Sequence, residues 1–191
     1  SVRIGVKKSL MVVDMPYRTY QNKRQALTNA RKILKETKCE AVKLEGGFKI
    51  KSIVEYLIKN KIPVMGHLGL LPQSIKGKFK SKGKTEREKN KLISESKLLE
   101  SLGVFAIVLE CIRGKTADLI TKSISIPTIG IGSSAYCDGQ VLVTDDLVGL
   151  NSTSIKFVKK FVNIKKEINR GIKKYKLEVL KSSFPSKKYS Y

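Results

Sequence analysis

The feature that most limits what this chain can fold into is a repeated unit: a short apolar run, then a segment with apolar residues at helical spacing. The runs fall at residues 9–14, 40–45, 62–66, 104–109, 126–131 and 139–143. They do not alternate between apolar and polar, as a strand with one wet face would. Near-continuous apolar runs belong to strands covered on both faces, which is where parallel sheets place them. Parallel neighbours need a crossover, and the intervening segments supply it: 22–38 carries Ala26, Leu27, Ala30, Ile33 and Leu34 on one stripe,. Residues 50–59 repeat the pattern with Ile53, Val54, Leu57 and Ile58. Thr85 reads as a helix cap with Glu86 and Glu88 in the first turn, and Gly103 as that helix's stop,. Shorter helices are expected at 115–123, 156–161 and 165–180, before a polar tail. Pro63 is tolerated at the entry of its strand. Six such units build either an open doubly wound sheet or part of a closed barrel, and the pattern leaves both open.

Three of the runs finish on a carboxylate: Asp14, Glu45 and Glu110. Lys43 and Glu45 are two apart, so on a strand they share a face, and Gly46-Gly47 follow at once,. Acids gathered at one end of a parallel sheet mark an active-site rim.

Composition narrows the partners. The 191 residues make one domain, 1–191, with no linker or sharp shift in composition, and 41% of them are hydrophobic, a globular fraction,. The net charge of +23 invites a nucleic-acid reading,. Against it, only seven of the 39 basic residues are arginines, the lysines are scattered over every helix, and aromatics do not interleave with them,. No nucleic acid is expected. No run reaches the ~20 apolar residues of a membrane helix, and no secretory leader pattern is visible at Ser1. Cys39, Cys111 and Cys137 are odd in number and irregularly spaced, which fits a reducing, cytoplasmic setting,.

Six motifs then occur in one order: Asp14-Met-Pro-Tyr17, Val42-Lys-Leu-Glu-Gly-Gly47, Val64-Met-Gly-His-Leu-Gly-Leu-Leu-Pro-Gln-Ser74, Val108-Leu-Glu-Cys111, Pro127-Thr-Ile-Gly-Ile-Gly132 and Asp138-Gly-Gln-Val-Leu-Val143. Together they closely resemble the ketopantoate hydroxymethyltransferase family, over essentially the whole chain. The resemblance implies a (β/α)8 TIM barrel of which this chain holds strands three to eight, the first two units having no counterpart here. It implies hydroxymethyl transfer from 5,10-methylenetetrahydrofolate to 3-methyl-2-oxobutanoate, giving 2-dehydropantoate for pantothenate synthesis, in a homo-oligomer with one Mg²⁺ per subunit. By the same resemblance Glu110 is the catalytic base, Asp14 and Glu45 serve the metal, and Asp14, Lys43 and His67 contact the substrate. Folate contacts are not assigned. A base working near neutral pH wants a raised pKa, which an apolar strand end supplies by desolvation.

Each residue also has a plainer reading. Asp14 could cap its loop, Glu45 could pair with Lys43, Glu110 could pair with a rim lysine, and a lone histidine is usually structural. Gly130 and Gly132 suggest a phosphate turn, but the third glycine of a dinucleotide fingerprint is absent. The resemblance instead implies that small residues there leave room for ligand. Departures from the family pattern are Ser133-Ser134 in place of Ala-Gly, Phe79 in place of Tyr, and Tyr189 in place of His. Two other readings stand beside the transferase: a Mg²⁺-dependent carbon–carbon lyase or mutase of 2-oxo acids, and an inactive remnant. The lyases bring a reactive cysteine in a loop that this chain lacks.

Overall fold

The computed structural model describes residues 2–74, 80–152 and 155–191. Contacts divide the chain into two compact units, Ser1–Val141 and Leu142–Tyr191.

The first unit opens with a single turn, α1 (Val2–Gly5), and continues as β1 (Val12–Asp14), α2 (Lys23–Thr37), β2 (Ala41–Glu45), α3 (Lys51–Lys59), β3 (Val64–Gly69), α4 (Glu86–Ser101), β4 (Ala106–Glu110), α5 (Gly114–Ser123), β5 (Thr128–Ile131) and β6 (Gly139–Gln140). The six strands are all parallel and lie side by side in chain order. Here the ambiguity left by the sequence closes. A doubly wound sheet reverses its strand order at a switch point, whereas a barrel runs in one direction. This sheet runs in one direction and forms a curled half-barrel.

Alternate residues sort to the two faces. Val42, Leu44, Val64, Leu68, Ile107 and Leu109 face the helices, where they meet Leu27, Val54, Leu57, Leu99 and Ile120 in the main core. Met65, Ala106 and Val108 face the other way and form a smaller cluster with Val12, Ile129 and Ile131. Helix starts follow local chemistry. The Asn22 side chain accepts from Gln25 N–H at 2.9 Å, and Thr85 Oγ1 accepts from Glu88 N–H at 3.2 Å,. Helix α4 ends as expected, with Gly103 in the left-handed region at φ 93°,.

The second unit holds α6 (Thr144–Leu147), α7 (Ile164–Leu180) and a terminal 3-10 turn. It corrects two expectations. The strand at 139–143 stops at Gln140, because Val143 instead caps α6 and its carbonyl accepts from Asp146 and Leu147 N–H. The helix at 156–161 does not form: Phe161 N–H donates to Leu147 O, so a tertiary bond takes an amide the helix would use. The basic loop after Ser74, with Gly77 and Phe79, falls largely outside the described residues.

Candidate active site

Strand register carries the candidate residues to one place. Asp14 stands opposite Lys43, Glu45 opposite His67, and Gly69 opposite Glu110. Lys43 and Glu45 are two apart on β2, so all five side chains project from the face that β1–β5 turn away from the helices. They do so at the carboxyl ends of the strands, where barrel enzymes put their chemistry.

The contacts form a chain. Lys43 Nζ lies 2.9 Å from Asp14 Oδ1 and 3.2 Å from His67 Nδ1. His67 Nε2 lies 3.2 Å from Glu110 Oε2, and Glu45 Oε1 is 3.9 Å from Nδ1. Access is graded: the side chains of Glu45 and His67 are 4% and 3% exposed, whereas Asp14 is 55% exposed and opens the site to solvent. The anticipated Lys43–Glu45 pair is not made, since Lys43 reaches across to Asp14.

Burial pushes the Glu45 carboxyl above its ordinary value, and nearby Glu110 adds to the rise. His67, the Gln73 amide and Lys43 only partly offset it,. A buried carboxylate left under-compensated in this way is an attractive place for a cation. Asp14 and Glu45 supply oxygen donors of the kind a hard divalent ion prefers. Among the described residues, no three His, Cys, Asp or Glu side chains converge closely enough to enclose a metal alone. Magnesium commonly keeps several waters, so exposed Asp14 at the mouth and buried Glu45 behind it are oxygen donors of a kind that would suit it,.

Sequence reasoning passed over the residues that hold Glu45. Gln73 N–H donates to Glu45 Oε2 at 3.2 Å, and its side-chain amide donates to Met15 O at 3.0 Å. The Tyr20 hydroxyl donates to Gln73 Oε1 at 3.2 Å and accepts from Glu45 N–H at 3.4 Å. Desolvation raises the Tyr20 pKa. Gln73 sits inside a quoted motif, but nothing in its spacing signals that its loop returns to β2. Glu95 on α4 was passed over as well. It is buried, its Oε1 accepts from Phe48 N–H at 3.3 Å, and it packs where a Gly47 Cβ would lie, 2.5 Å from its Cδ. A side chain at Gly47 would therefore have to push the Glu95 carboxyl group aside.

A cavity of about 480 Å³ lies beside Glu45, with Tyr20, Leu92 and Glu95 among its lining and Arg18, Lys49, Lys82 and Lys91 around it. The room expected at Gly130 is already filled: a Cβ there would meet Gln140 Oε1 at 2.9 Å and Cys137 Sγ at 3.2 Å. Cys111 is buried, and desolvation together with Glu110 pushes its thiol up, which is the opposite of a reactive thiolate,.

A 3-methyl-2-oxobutanoate hydroxymethyltransferase of Pelagibacter ubique is 60% identical over 191 residues, which is all of this chain and 74% of that protein. One from Clostridium novyi is 48% identical over 195 residues, covering 71% of its length. Among solved structures, a dihydrodipicolinate synthase from Acinetobacter baumannii aligns at 13% identity and TM-score 0.44, over 66% of this chain and 49% of that one. Residues 1–187 match the family described as Ketopantoate hydroxymethyltransferase, and the chain belongs to that family.

Proposed function

We propose that this protein transfers a hydroxymethyl group from 5,10-methylenetetrahydrofolate to 3-methyl-2-oxobutanoate, giving 2-dehydropantoate and tetrahydrofolate. The observation that supports this most directly is the alignment of Lys43, Glu45, His67 and Glu110 on one face, with Asp14 at the open end. The chemistry needed is removal of a proton from carbon 3, beside the ketone, followed by attack of that carbon on the one-carbon unit.

Lys43 is the group for the carboxylate of the keto acid. Its charge is already drawn toward the mouth by Asp14, so an incoming carboxylate meets an amine that is placed for it,. Glu110, at the end of an apolar strand, takes the proton from carbon 3. Asp14 and Glu45 would hold Mg²⁺, which when bound would withdraw charge from the keto oxygen. Tyr20 and Gln73 fix Glu45 so that its carboxylate does not turn away into the cavity. That cavity, with its basic rim, suits the ring system and anionic tail of a folate.

We place the reaction in the cytoplasm, where the three free cysteines stay reduced,. Among the described residues, no helix is long and apolar enough to cross a membrane. Assembly as a homo-oligomer fits the exposed apolar residues Ile168, Ile172, Tyr175 and Val179 on α7,.

The test is folate-dependent conversion of 3-methyl-2-oxobutanoate by the intact gene product with Mg²⁺. Product formation from the keto acid supports the reading. No product from this keto acid, with turnover of another 2-oxo acid by carbon–carbon cleavage, would replace it with the lyase reading.

A further inference from the structure

We infer that His67 is a positioning residue for Glu110, its Nδ1 accepting from Lys43 and its N–H carried on Nε2. The inference deepens the proposed function and rests on Glu110 being the base in that reaction. The tautomer follows from the partner's chemistry. Lys43 Nζ is 3.2 Å from Nδ1, and an ammonium has donors only, so Nδ1 must accept,. A proton on Nδ1 would face that ammonium. Among the described residues its one alternative acceptor, Glu45 Oε1, is 3.9 Å away and too far for a hydrogen bond,. The proton therefore sits on Nε2.

Nε2 is buried, and among the described residues it has no hydrogen-bond partner. Glu110 Oε2 is near, at 3.2 Å, but out of line with the ring N–H. A buried donor without an acceptor is unfavourable, and the terminal torsion of a glutamate is soft. A small turn of the Glu110 carboxylate closes this bond. It then holds Oε2 against the ring and leaves Oε1 to face carbon 3. Catalytic hydrogen bonds that are slack in a free enzyme and tighten around substrate are common. In this arrangement the amine that receives the substrate also sets the histidine that aims the base.

Two substitutions separate this role from simple substrate contact. The amide nitrogen of Gln overlays His Nε2, whereas the amide of Asn overlays Nδ1. In the intact protein, exchange of the carbon 3 proton of 3-methyl-2-oxobutanoate with D2O, without folate, is followed by NMR. His67→Gln is expected to exchange at least about tenfold faster than His67→Asn, with similar KM for the keto acid, a margin typical of lost supporting contacts. Equal losses, or a loss confined to KM, overturn the inference. If either variant fails to fold, the wild-type protein decides the matter. Its ¹⁵N-histidine spectrum, assigned to His67 by chemical-shift changes on titrating the keto acid, should show Nδ1 bare and Nε2 protonated. The opposite tautomer, or a proton on both nitrogens, overturns the inference. Wild-type protein that neither exchanges the proton nor turns over would instead sink the proposed function, whatever the spectrum shows.

Discussion

Gly69→Ala tests whether the end of β3 is as tightly built as the geometry requires. Gly69 has φ 98°, a region that side chains rarely adopt. A Cβ there would lie 2.2 Å from the backbone oxygen of Glu110 and 2.6 Å from Ile112 Cγ1. The first contact is with main chain, which cannot rotate aside. That oxygen also accepts from Leu70 N–H at 2.8 Å, so making room for the methyl group strains a bond that joins β3 to β4. Left-handed backbone costs ~1–2 kcal/mol, overpacking ~1–3 and a lost hydrogen bond ~1, so a total near 4 kcal/mol is expected. At roughly 2–4 °C per kcal/mol for a protein of this size, Tm should fall by about 10 °C. Because the displaced strand end carries Glu110, carbon 3 exchange should fall too. Gly114→Ala is the control: among the described residues nothing lies within 4 Å of its added Cβ, at the first position of α5, and Tm should hold or rise slightly,. The assay is thermal unfolding of the intact protein by circular dichroism, beside proton exchange by NMR. A Gly69→Ala protein melting within 2 °C of wild type would refute the packing argument, since the overlap leaves no milder solution.

Three further outcomes follow from the site and its surroundings. Glu110→Gln should slow carbon 3 exchange by ~10²–10⁴-fold while keto acid binding, measured by calorimetry, is kept. Chelation by EDTA should abolish turnover, and Mg²⁺ should restore it in wild type but poorly in Glu45→Gln, read as the Mg²⁺ concentration needed for half-maximal rate. Asp138 accepts from Thr128 N–H at 2.8 Å and Thr128 Oγ1 at 2.9 Å, which together hold its carboxyl below its ordinary 3.8. A lowered folded-state pKa stabilises above the unfolded value and is lost as pH falls through the folded one. Wild type should therefore out-melt Asp138→Asn at neutral pH, with the gap closing below 3.8. A constant gap would mean that the charge is not the cause.

Much of the fold was open to reading because its determinants are local. Ala26, Leu27 and Ala30 mark their own helix face by spacing, Thr85 announces a helix start, and unbroken apolar runs announce strands covered on both sides. What escaped depends on groups far apart in the chain. The amide of Phe161 goes to Leu147, and no pattern inside 156–161 could have revealed that. Tyr20, Glu45 and Gln73 span more than 50 residues, and they meet only because two loops close over β2. The open or closed nature of the sheet is likewise a property of strand order, which hydrophobic period does not encode.

The candidate site shows where that line falls. Lys43 and Glu45 share a face by simple alternation, so an ion pair between them was a fair expectation. Residues two apart along a strand are separated by ~6.6 Å, whereas register partners on the next strand are only ~5 Å apart. The shorter route prevails. Lys43 goes to Asp14, its partner across β1, and Glu45 is set against His67, its partner across β3. Glu45 makes no ion pair with Lys43, and burial raises its pKa although His67 and Lys43 still pull it down. Register, not sequence spacing, is what gives this face a buried acid in want of a cation and an amine set between Asp14 and His67. A one-residue slip of β2 would send both side chains into the helix-facing core and erase the site while keeping the same composition.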